Sequence, residues 1–348
     1  MSGMKVTIRA TILSIAFATL SAARCYAAQS FVSEEPAVGQ ALLALQQHQL
    51  VALGEPHRSV PFHRFLQALV RDPRFPQYVS TIVVEFGNAR YQSIIDAYVA
   101  GAPIPDDRLV LVWRNTTQLL VWDAPMYRAF FQSVRRVNAG LPETRKIRVL
   151  LGDPPINWDK TKAAADFPAS YGYRDWYYAD VVENSVLRSG GKALLIMGGV
   201  HLTHHDMHAG AKPVPRERDS VGSILSREYP GSLYSIWPYF GAPQPAQVPS
   251  LVATDLSPLA KASFGRLVPD VLFIKRVAGK LVPYQPNKTD FPPIDRMTDA
   301  VLFLGKVDVI EPAPPSSYSA AYLHELRRRA LILQQVFGYP FVDQVKAL

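Results

Sequence analysis

The stretch that decides the fold is Leu50-Val51-Ala52-Leu53-Gly54-Glu55-Pro56-His57, four apolar residues followed by a sharp exit and two ionisable side chains. An apolar run of this length, bounded by Gly and Pro, reads as a strand buried on both faces. The pattern repeats. Thr81 to Val84 leads into Glu85-Phe86-Gly87-Asn88, Ile147 to Leu151 into Gly152-Asp153-Pro154-Pro155, and Ala193 to Met197 into Gly198-Gly199-Val200-His201. Leu233 to Trp237 and Ala300 to Leu304 extend the series.

Between these runs lie amphipathic stretches. Ser59 can cap a helix whose apolar positions Phe62, Phe65, Leu66, Leu69 and Val70 follow three-and-four spacing. Further helices are expected at Ala89 to Ala100, Pro125 to Asn138, Arg174 to Arg188 and Tyr318 to Phe337. Strands alternating with helices predict an α/β fold, a mostly parallel sheet flanked by helices, with an elaborated C-terminal third. From Gly241 to Pro293 the chain is rich in Pro and loses helical period. We read residues 241–293 as an insertion or edge subdomain of a single domain spanning 28–348, with a hairpin over Asp270 to Arg276 and Lys280 to Val282.

Residues 1–27 have the layout of a secretory signal peptide: Lys5 and Arg9, an apolar run from Ala10 to Leu20, then small residues at Ala22, Ala23, Ala27 and Ala28. This predicts a periplasmic or secreted protein beginning at Ala28 or Gln29. Cys25 is the single cysteine and leaves with the signal, which excludes thiol catalysis, cysteine metal sites and disulfides. The net charge of +8 falls to +5 without Lys5, Arg9 and Arg24. Its basic residues are scattered, so no nucleic-acid partner is expected, nor a transmembrane segment after cleavage. A small-molecule or peptide substrate fits better.

In open α/β sheets, ligands bind beyond the carboxyl ends of the strands, where Glu55, His57, Glu85, Asp153 and His201 all fall. Each alone could cap a helix or fill a polar niche. Gathering several acids and imidazoles at one sheet edge is costly unless they pair, bind a cation or meet a polar ligand. Imidazoles with carboxylates support general acid/base chemistry, or hold a divalent cation with a position left for water. Both routes lead to hydrolysis. We take Glu55, His57, Glu85 and His201 as the catalytic set. His57, Glu85 and His201 are the candidate metal ligands, and His63, Asn88, Arg114, Asp153 and His205 the candidate substrate contacts. His63 either supports the site or is a core histidine. Arg114 either lines the pocket or pairs with Asp123. No phosphate-binding loop and no Gly-x-Ser-x-Gly elbow is present.

Gly54-Glu55-Pro56-His57 with His63, Glu85 at the next strand, and Gly199-Val200-His201-Leu202 resemble the superfamily of erythromycin esterases, ChaN-like haem-binding proteins and Tiki metalloproteases. Asp299-Ala300-Val301-Leu302-Phe303-Leu304 resembles the late strand of its esterase branch. The esterase branch implies that His57 or a neighbour is a base activating water, oriented by Glu55 and Glu85, with His201 stabilising charge. The Tiki branch implies a divalent metal ion held by His and Glu, and the ChaN-like branch implies haem. Esterase-like sequences place the first His one residue later and follow it with Gly, whereas here Pro56 precedes His57 and Arg58 follows. The expected function is therefore an exported hydrolase of an ester or amide. The alternative is a periplasmic haem- or metal-binding protein using the same residues.

Overall fold

Six parallel strands and one antiparallel edge strand form a sheet in the order β3-β2-β4-β1-β5-β9-β6. They are β1 Leu50–Gly54, β2 Thr81–Asn88, β3 Arg148–Asp153, β4 Ala193–Met197, β5 Leu233–Tyr239, β6 Leu251–Ala253 and β9 Ala300–Phe303. β7 Ile274–Val277 and β8 Lys280–Pro283 pair separately as an antiparallel hairpin, at the place the sequence suggested. The computed structural model describes residues 31–205, 215–240, 251–253, 261–269, 274–277, 280–305 and 309–346. The signal-peptide reading of residues 1–27, the start point at Ala28 or Gln29, and His208 lie outside these. Among the described residues no helix is long and apolar enough to cross a membrane.

The strands are apolar at successive positions because helices cover both faces. On one face Val51, Leu53, Ile82, Val84, Leu194 and Ile196 pack against the helices Phe31–Gln47, Val60–Arg71, Gln92–Ala100 and Pro125–Asn138, through side chains such as Phe62, Leu66, Ile95 and Phe130. On the other, Leu50, Ala52, Val83, Ala193 and Leu195 meet Tyr178, Val182 and Leu225 of the helices Arg174–Ser185 and Val221–Glu228. Each fully buried side chain of this size contributes about 1.5–3 kcal/mol. Ser59 caps the helix Val60–Arg71, its hydroxyl accepting from the Phe62 amide at 3.4 Å.

The Pro-rich segment contributes the edge strand β6, and Phe264, Leu267, Val268, Ile294 and Met297 pack beneath Trp237 and Val301. The helix Ala320–Phe337 closes over Ile156, Trp158 and Tyr171 with Leu326, Ala330 and Leu333.

Register sets where the strand ends meet. β4 lies between β1 and β2, with Gly54 level with Met197 and Val84 level with Ile196. The residues leaving β1 and β4, and the residues of β2 just past Val84, therefore reach the same height at the carboxyl edge. β2 runs on to Asn88 with a shift in its pairing to β3 after Val84, an irregularity of the kind that re-aims side chains near functional sites.

Candidate active site

At that edge three predicted groups converge. A Cβ placed on Gly198 would lie 3.3 Å from His201 Cδ2, 3.6 Å from Glu85 Oε2 and 3.7 Å from His57 Cε1. Glycine keeps this point clear. Close packing also surrounds Gly54, where a Cβ would lie 2.5 Å from Pro238 Cδ and 2.9 Å from the Gly199 Cα.

His57 is oriented from behind. Its Nδ1 is 2.5 Å from Glu55 Oε2, and 36% of its side-chain surface is open. The other carboxylate oxygen of Glu55 is 3.1 Å from His63 Nε2 and accepts from the Tyr127 hydroxyl at 3.1 Å. Tyr127 in turn accepts the Arg58 backbone N–H at 3.0 Å, which helps hold Arg58 at a φ of 62°, a left-handed conformation uncommon for a non-glycine residue. Burial works to raise the Glu55 carboxyl, but the His57 charge and the bonds from His57 and His63 bring it down to about 2. Burial works to lower His57, but the Glu55 charge and hydrogen bond, with Glu85 nearby, lift it to about 9. At neutral pH the pair is a carboxylate and an imidazolium.

His201 is held in the same manner, with Nδ1 2.8 Å from Asp175 Oδ2. Burial acts to lower its pKa; the Asp175 charge and hydrogen bond, and Glu85, raise it. Both rings leave Nε2 without a hydrogen-bond partner among the described residues. Glu85 lies near both, accepting the Gly198 amide at 2.8 Å and an Arg174 nitrogen at 3.0 Å. Burial would raise Glu85, but Arg174, His57 and His201 hold it below the usual carboxylate range.

Asp153 stands one step back. It accepts from Arg174 Nε at 2.7 Å and from the Tyr171 hydroxyl at 3.0 Å, and burial pushes its carboxyl up to about 6 despite Arg174. His63 is buried and belongs to the Glu55 group. Two of the other predicted contacts, Asn88 and Arg114, are committed elsewhere. Asn88 spends its amide on the carbonyls of Asn115 and Ile156, at 2.7 and 2.9 Å. Arg114 pairs with Asp123 at 2.9 Å and lies over Tyr318 and Tyr322. His205 is exposed, and its carbonyl accepts from the Thr203 hydroxyl. His204 instead bridges Ser226 and Asp299, at 2.7 Å each.

A divalent cation fits these residues poorly. Among the described residues no three His, Cys, Asp or Glu side chains are grouped to hold one. Arg174 already supplies a cation to Glu85. For haem the surroundings are ionic where an apolar slot is wanted, with Glu55, Glu85, Asp175 and Arg174 all at this edge.

Sequence reading missed Tyr127, Tyr171, Arg174 and Asp175. The signal was an Arg-Asp pair opening a helix, which looks the same when it faces water.

No protein-family model matches the chain, and no curated protein matches it. Among solved structures, a succinoglycan biosynthesis protein aligns with a TM-score of 0.53 and 11% identity, over 79% of this chain and 92% of that one, a likeness of fold. An erythromycin esterase mutant in its open conformation aligns with a TM-score of 0.48 and 12% identity, over 78% and 94% of the two chains. ChaN of Campylobacter jejuni, with cofacial haem, aligns with a TM-score of 0.35 and 14% identity, over 59% and 87%.

Proposed function

We propose that this chain is an exported hydrolase in which two carboxylate-oriented imidazoles activate water against an ester or amide. The observation that supports this reading is the meeting of His57, Glu85 and His201 around the bare Cα of Gly198, each ring fixed through Nδ1 and, among the described residues, without a hydrogen-bond partner at Nε2. Orientation by a carboxylate is how an imidazole is kept in one tautomer and one direction for proton transfer.

His57 enters as the acid, because it carries its proton at neutral pH. His201, bonded to Asp175 and near Glu85 much as His57 is bonded to Glu55 and near Glu85, enters as the base in its deprotonated form. This differs from the base role that the family resemblance implies for His57. Water attacks the carbonyl carbon as His201 Nε2 takes its proton. The bond to the leaving oxygen or nitrogen then breaks as His57 Nε2 donates its own. Glu85 stabilises positive charge on both rings, and solvent returns the proton from His201 to His57.

Purified protein lacking residues 1–27 should hydrolyse members of a panel of neutral carboxylic esters. His57→Ala should lower kcat/KM by about 10²–10⁴-fold with the fold intact, the usual range for a positioned acid or base. An inert wild-type protein, or an unchanged variant, would sink the proposal. Export is tested by N-terminal sequencing of the protein recovered outside the cytoplasm, which should begin at Ala28 or Gln29.

A further inference from the structure

Neither imidazole bonds to Glu85 among the described residues, so something else must hold it at this point. Its carboxylate is buried, with 2% of the residue exposed, and its hydrogen-bond partners are the Gly198 amide and Arg174. Arg174 is the hub of a separate cluster. One terminal nitrogen lies 3.0 Å from Glu85 and 2.6 Å from Asp153, its Nε donates to Asp153 at 2.7 Å, and Asp153 also takes the Tyr171 hydroxyl. The single Tyr171 proton is shared with the Pro154 carbonyl, 2.6 Å from the hydroxyl oxygen, so the turn after β3 is tied into the same cluster.

The next residue, Asp175, is the one that holds His201. One turn further along the same helix, the Tyr178 hydroxyl donates to the Val83 carbonyl at 2.7 Å and accepts the Ile196 amide at 3.2 Å. Tyr178 is fully buried, and its ring lies where a Cβ on Gly152 would be 2.3 Å away. The first turns of Arg174–Ser185 are thus docked against β2, β3 and β4 at fixed height, and present Arg174 to Glu85 and Asp175 to His201 from adjacent positions.

We infer that Arg174 is a positioning residue, anchored by Asp153 and Tyr171, whose guanidinium fixes the Glu85 carboxylate beside Gly198, where His57 and His201 also converge. The physical case rests on geometry and cost. A buried carboxylate with one backbone donor is poorly compensated, whereas a guanidinium spanning two carboxylates supplies charge and direction together. Lysine provides the charge without the fork.

The test reads Glu85 through its other partner. In the ¹H–¹⁵N spectrum, the Gly198 amide proton bonded to a carboxylate should resonate downfield, and Glu85→Gln fixes where it goes when that charge is lost. In Arg174→Gln the Gly198 amide should move to or past its Glu85→Gln position, while amides of the helix Pro125–Asn138 stay in place. In Arg174→Lys and Asp153→Asn it should move part of the way. A Gly198 amide at its wild-type position in these variants overturns the proposal. Should Arg174→Gln fail to fold, Arg174→Lys and Asp153→Asn decide it by the same criterion. The kinetic half rests on the hydrolase reading: kcat should fall by up to about 10²-fold, the cost of misplacing a reacting group by about 1 Å, with KM little changed and partial recovery in Arg174→Lys. If no ester is turned over, the function fails while the amide shift still judges Arg174.

Discussion

Glu55 and His57, separated in the chain only by Pro56, meet through a 2.5 Å hydrogen bond between Oε2 and Nδ1. The turn that brings them together is fixed on its far side by Tyr127, which bonds both Glu55 and the Arg58 amide. This ion pair is the site's electrostatic centre.

Its pH signature has a definite sign. Glu55 falls from 4.5 to about 2 on folding, so its contribution is present above pH 4.5 and lost as pH drops toward 2. His57 rises from 6.5 to about 9, so its contribution is present below pH 6.5 and lost as pH climbs through 9. The difference in Tm between wild type and Glu55→Gln should therefore be greatest between pH 4.5 and 6.5 and shrink on either side. A difference independent of pH from 3 to 9 would refute the pairing.

Tyr127→Phe removes one donor to a buried carboxylate and leaves the Arg58 amide without its acceptor. The expected loss of stability is about 1–3 kcal/mol, the cost of leaving buried polar groups unpaired. Urea denaturation measures it, and a change below about 0.5 kcal/mol would show that water or a rearranged Arg58 takes the place of the hydroxyl.

Gly198→Ala puts a methyl group where His57, Glu85 and His201 converge. Gly198 has a φ of −49°, which any residue adopts, and the nearest atom, His201 Cδ2 at 3.3 Å, needs to give only slightly. The fold should survive with a cost under about 1.5 kcal/mol, within the range of a mild packing change, while ester turnover drops at least tenfold. Equal activity in both proteins would mean that the reaction happens elsewhere.

Much of this was legible in the residues themselves. Runs such as Leu50 to Leu53 and Ala193 to Met197 are apolar at every position because both faces of the sheet are covered, and their ends mark where the site must lie. Glu55, two residues from His57, was legible as its orienting partner, whereas the partners that act from a distance were not. Arg174 meets Glu85 across 89 positions and Tyr127 meets Glu55 across 72, and nothing local distinguishes such residues from a helix start facing solvent. Asn88 shows the opposite difficulty. It sits at a strand end like the others, yet its amide is consumed by two backbone carbonyls that only the folded loops bring near. Arg114 had two readings, and the pairing with Asp123 is the one the fold adopts.

The central claim is that residues after β1 and after β4 act as one machine, and a double-mutant comparison tests it most directly. Hydrolysis of the best ester should be measured in wild type, His57→Ala, His201→Ala and the double variant. Groups acting as a unit are strongly non-additive, so the double variant should lose no more than about threefold beyond the worse single one. Losses that multiply, or a single variant with wild-type kcat/KM, would contradict a shared site.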